Sequence, residues 1–149
     1  GEPSKEYREI DNRKSRDLTF LGDILQSRNF YKAALIEYRR AVDQSKVFSP
    51  ILHNKLAKGY LITKEYNKAE VILNKSLDLY PMFHSTLANL GELYFDMGDI
   101  KKSRSFYERA VEINPFNTFA HIRLMTIYQR LGWEKEKELQ TKLFGYIDH

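Results

Sequence analysis

The chain has 149 residues, 42% of them hydrophobic and 30% charged, with no cysteine, and it is about the length of one ordinary domain. Its 24 basic and 20 acidic residues leave a net charge of only +4, which describes a mixed solvated surface and not the basic stripe that phosphate binding requires. The lack of cysteine excludes disulfides, thiolate catalysis and cysteine-ligated zinc or iron–sulfur sites, and no run nears the ~18 apolar residues of a membrane span.

Residues 1–14 are highly charged and have no clear period; the expectation is a disordered segment or a short leading helix. The opening Gly1-Glu2-Pro3-Ser4 lacks both an initiator methionine and a signal-type apolar run. It reads as a processed protein or a piece of a longer one.

From Ser15 onward one pattern returns four times. The first unit, about residues 15–48, carries Leu18-x-x-Leu21-Gly22-x-x-Leu25, then Ala34, Tyr38 and Ala41. The second, 50–83, carries His53-x-x-Leu56-Ala57-x-x-Tyr60, then Ala69, Leu73 and Ser76, and is followed through by Pro81. The third, 84–117, carries Leu87-x-x-Leu90-Gly91-x-x-Tyr94, then Ser103, Tyr107 and Ala110, with Pro115. The fourth, 118–149, begins His121-x-x-Leu124-Met125-x-x-Tyr128 and then departs, with Lys137, Thr141 and Phe144 at the later places. The markers Gly22, Ala57, Gly91 and Met125 are 35, 34 and 34 positions apart. A fixed period of this size means a tandem array.

Each unit reads as two helices, because its apolar residues recur at i, i+3, i+4 and i+7 and not at the strand period of two. Met97-Gly98-Asp99 separates the pair in the third unit, and Asn29 and Gly132 serve in the first and fourth; Lys64 is a poorer residue for the same place. A glycine within a helix costs about 1 kcal/mol relative to alanine. The expected offset is close helix approach, with Gly22 facing Ala34 and Ala41, and Gly91 facing Ser103 and Ala110. Gly59 lies off this small-residue face and has no such reason. The fourth unit keeps an apolar set in its second helix (Trp133, Leu139, Leu143, Phe144, Ile147) and is expected to cap the array.

This pattern resembles the tetratricopeptide repeat (TPR), a 34-residue helix–turn–helix unit with the signature W-x₂-L-G-x₂-Y, then A-x₃-F, then P. The match covers residues 15 to 144, with tryptophan replaced by Leu18, His53, Leu87 and His121. The resemblance implies an all-α, right-handed α-solenoid of about four repeats.

No catalytic, metal or cofactor motif accompanies the repeats, so a non-enzymatic chain with no cofactor is expected. His53 and His121 hold equivalent places and are expected to stand in for an aromatic, packing with a polar tip. Asp96 and Asp99 flank Gly98 without calcium-loop spacing. The resemblance further implies that the first helix of each pair lines a concave binding surface. The stripe beside its core stripe is then Arg16, Thr19, Asp23 and Gln26; Ile51, Asn54, Lys58 and Leu61; Ser85, Ala88, Glu92 and Phe95; Phe119, Ile122, Thr126 and Gln129. Exposed apolar residues rimmed by polar ones mark interaction sites, so Leu61, Phe95, Phe119 and Ile122 are candidates for contact with a partner.

Some TPR proteins clamp a partner's C-terminal carboxylate with lysine, asparagine, asparagine, lysine and arginine. Here Thr19 and Asp23 spoil that pattern in the first three units. In units two to four Asn54 and Lys58 hold the first two places in swapped order, Asn89 the third, Phe119 replaces the lysine and Arg123 holds the last, with Glu92 opposing. The leading expectation is a protein-interaction scaffold that binds a segment of another protein in the groove. The alternatives are an accessory segment of a larger enzyme or membrane-associated assembly factor, and a self-associating module, since an open array has two ends. Nucleic acid is not an expected partner: residues 1–47 and 48–82 carry +2 each, 83–117 −1 and 118–149 +1.

Overall fold

Four helix pairs follow one another in the computed structural model, which describes residues 5–147. The helices are α1 (Lys5–Ser27), α2 (Tyr31–Gln44), α3 (Pro50–Ile62), α4 (Tyr66–Leu79), α5 (His84–Asp96), α6 (Ile100–Ile113), α7 (Thr118–Leu131) and α8 (Glu134–Ile147). No strand occurs among the described residues. Helix α1 takes in the charged leading segment from Lys5 onward; Gly1–Ser4 lie outside the described residues.

The turn inside each pair is built the same way four times. Asn29, Lys64, Gly98 and Gly132 all have positive φ, between 62° and 84°. The next amide then reaches back to close the helix, at 2.8–2.9 Å, as Phe30 N to Leu25 O, Glu65 N to Tyr60 O, Asp99 N to Tyr94 O and Trp133 N to Tyr128 O. This is the left-handed C′ termination that satisfies otherwise orphaned carbonyls. Between pairs, helix starts are capped by side chains: Ser49 Oγ accepts from Leu52 N with Pro50 in the first turn, and Asn117 Oδ1 accepts from Ala120 N. Asp99 caps α6 in the same way.

The chain divides into two compact units, residues 1–76 and 77–149. In the first, the core is formed by Ala34, Leu35, Tyr38, Ala41, Leu52, Leu56, Ala57, Tyr60, Ala69 and Leu73. In the second, Tyr107, Ala120, Leu124, Ile127 and Tyr128 form a buried cluster with Phe95, Ile100, Val111 and Leu131 packed against it.

The glycines in the first helices answer to something other than small side chains opposite. A Cβ on Gly22 would lie 2.6 Å from Tyr38 Cε1, and one on Gly91 would lie 2.8 Å from Tyr107 Cγ. The expectation of small residue against small residue is therefore corrected. The glycine clears space for a tyrosine ring from the second helix of its own pair. Ser103 adds a helix–helix hydrogen bond by donating its hydroxyl to Gly91 O at 2.7 Å. Gly59 also has a reason: a Cβ there would lie 2.9 Å from Leu35 Cδ1, where α3 meets α2.

Candidate interaction surface

The tyrosines that fill the glycine notches reach a carboxylate on the first helix, and a cation from the next pair completes the group. In the first unit Tyr38 donates to Asp23 Oδ1 at 2.6 Å, and Lys55 on α3 holds Asp23 Oδ2 at 2.6 Å. In the second unit Tyr107 donates to Glu92 Oε2 at 2.6 Å, while Arg123 on α7 grips both Glu92 oxygens at 3.1 and 3.2 Å. Burial and then the bonded acid push both phenols well above the ordinary tyrosine value, so each stays protonated and donating. Burial works against the Arg123 charge, but the bond and field of Glu92 prevail and hold its proton more tightly.

Arg123 is also the centre of an aromatic stack. Its guanidinium lies 4.2 Å from the Phe95 ring centroid and 5.1 Å from that of Phe119. Arg130, two turns further along α7, lies 4.9 Å from the Phe95 centroid. Each such contact is worth roughly 0.5–1 kcal/mol at an exposed site. The stack therefore fixes two long cationic side chains without closing the surface: Phe119 is 50% and Ile122 44% exposed.

Of the residues picked out by sequence, Glu92, Phe95, Phe119 and Arg123 come together here, with Ile122 exposed beside them on α7. Asn89 and Phe95 on α5 are half-buried. In the first unit Lys58 is exposed. Two expectations need correction. Asn54 is 3% exposed and donates to Pro50 O at 2.7 Å and to Ser76 Oγ at 3.3 Å; Leu61 is 5% exposed. Neither faces a partner. The reason is that α3 is covered on more than one side, with Leu52, Asn54, Leu56, Ala57, Gly59, Tyr60 and Leu61 all buried in 13 residues. A stripe one step from the core is surface only on a helix covered from one side.

With Asn54 used inside the protein and Arg123 paired to Glu92, the carboxylate clamp loses an amide and a cation. Arg130 was not singled out from sequence, although its place seven residues after Arg123, on the same helical face, is the signal that could have found it. Elsewhere in the first unit, a cavity of about 610 Å³ is lined by Arg16, Thr19, Phe20, Asp23, Val47 and Ile51 among others. His53 stacks on Phe48 with centroids 3.9 Å apart, and buried His121 contacts Gln140 Oε1 at 2.6 Å and Pro115 O at 2.7 Å. Among the described residues no group of His, Asp or Glu gathers as a metal site, and no helix is long and apolar enough to cross a membrane.

Residues 84–117 match the family model described as tetratricopeptide repeat. The chain is built of tetratricopeptide repeats. Its eight helices fit about four of them, the third being the one that the family model matches. The chain is similar to the bovine (Bos taurus) BBSome complex member BBS4, with 32% identity over 102 residues; this covers 68% of the chain and 19% of that protein. The chain thus spans about a fifth of that relative's length.

Among solved structures, PilF of Pseudomonas aeruginosa superposes with a TM-score of 0.80 at 20% identity, covering 93% of this chain and 63% of that one. The first TPR of Spaghetti (RPAP3), bound to the HSP90 peptide SRMEEVD, gives 0.72 at 23% identity, covering 81% and 95%. At these identities the likeness to the solved structures is one of fold. That fold is typical of interaction modules, whose stacked repeats offer extended binding surfaces.

Proposed function

We propose that this TPR chain is a non-catalytic protein-interaction module, and that residues 77–149 hold a segment of a partner protein on the α5–α7 face. The observation that carries this reading is the half-exposed Phe119, stacked on a fixed Arg123 and next to exposed Ile122. An apolar pair mounted on an ordered polar support is the form of an interface anchor, where aromatic and arginine residues supply most of the binding energy. The peptide-bound state of the RPAP3 repeat, a structure of the same fold, supports a peptide segment as the type of ligand.

The test is affinity capture from the native source with wild type beside Phe119→Ala/Ile122→Ser, after circular dichroism has verified the variant's helix content. A partner held by wild type and lost by the variant is the expected result. A partner held equally by both would move recognition away from this face.

A further inference from the structure

We propose that the partner segment on the α5–α7 face is extended and acidic, with an apolar side chain seated on Phe119 and Ile122 and a carboxylate about five residues away on Arg130. This rests on the interaction reading above and gives it a chemistry.

The charge follows from which cations are already engaged. Glu92 takes both donor edges of Arg123 that it can reach, so the Arg123 charge is balanced within the protein. Asp96, at the end of α5, has a partner of its own. Arg130 is exposed, and the contact described for it is the Phe95 ring. A ring neutralises no charge. This face therefore offers one guanidinium without a carboxylate, already held in place by an aromatic. A basic segment would be repelled there, and a wholly apolar one would cover the charge without pairing it, at a desolvation cost. An acidic side chain does neither, and it finds a cation whose freedom is already restricted.

The spacing follows from the helix. Phe119 and Arg130 are 11 residues apart on α7, close to three whole turns, so they lie on one face about 16 Å apart at 1.5 Å per residue. An extended chain covers that distance in about five residues at 3.3 Å each. Ile122, one turn from Phe119 on the same face, widens the apolar seat.

The experiment is display selection on the full chain from a random library of peptides about ten residues long, followed by affinity measurement of the selected peptides. Selected sequences are expected to carry Asp or Glu spaced about four to six residues from Leu, Ile, Met or Phe. Arg130→Glu is expected to weaken the best peptide about tenfold or more, Arg130→Lys much less, and a peptide with its acid changed to lysine is expected to regain affinity for Arg130→Glu. Selected peptides without acid, or with an acid indifferent to Arg130→Glu, would overturn this inference while leaving the interaction reading in place. Failure to select any peptide would count against segment binding itself, and against this inference with it.

Discussion

At the scale of single residues, His53 shows how a ring adopted for packing acquires a pH dependence. It stacks on Phe48, which also lies under the Lys75 ammonium at 5.3 Å. Burial first, and the Lys75 charge after it, lower its pKa below the ordinary histidine value, while the bond to Ser49 opposes them. The unfolded chain therefore takes up a proton near pH 6.5 that the folded chain resists. Stability is expected to fall as the pH drops from about 7.5 to 5.5, across the ordinary histidine value. His53→Phe keeps a ring on Phe48 and removes the titration, so its melting temperature should fall less over the same interval. Parallel curves for the two proteins would show that His53 contributes no proton linkage.

At the scale of helices, the period was legible in the sequence and the facing partners were not. A repeat of 34 positions, the small markers and Gly98 or Gly132 at the turns are properties of the chain alone, and they place all eight helices. What Gly91 faces depends on how the rotation of α6 brings Tyr107 or Ser103 toward it, and spacing within one helix does not contain that. The ring is the tighter neighbour, at 2.8 Å from a notional Cβ. The same limit explains Asn54 and Leu61: polarity suggested surface for one and groove for the other, while α3 is enclosed. Phe119 and Arg123 were legible because α7 keeps an open side. Gly91→Ala decides between propensity and packing. Alanine gains about 1 kcal/mol of helix propensity, but overpacking a core site costs about 1–3 kcal/mol. Tyr107 is tied to Glu92 and fully buried, so it has little room to yield. The expected outcome is net destabilisation of about 1–2 kcal/mol in urea unfolding, and a more stable variant would show that the ring can move aside.

At the scale of the whole chain, the stability of a repeat array is approximately a sum of local terms, and these terms differ between repeats. The second repeat closes its turn with Lys64 at φ 62°, a strain of roughly 1–3 kcal/mol for a residue with a Cβ. Where the third repeat has Glu92 and Tyr107, the second has Lys58 and Leu73, so it has no phenol–carboxylate bond between its two helices at these positions. The third repeat has glycine in its turn, an Asp99 cap and the Tyr107–Glu92–Arg123 group. Native-state hydrogen exchange should therefore show α3 and α4 opening at lower free energy than α5 and α6. Lys64→Gly removes the strain, and it should raise the opening free energy of α3 and α4 by about 1 kcal/mol. The change in α5 and α6 should stay within a few tenths of a kcal/mol, since the sites share no partner. If all helices instead exchange at one common free energy that Lys64→Gly raises uniformly, the repeats unfold as a single block. Local strain in the second repeat would then be carried by the whole array and not by α3 and α4.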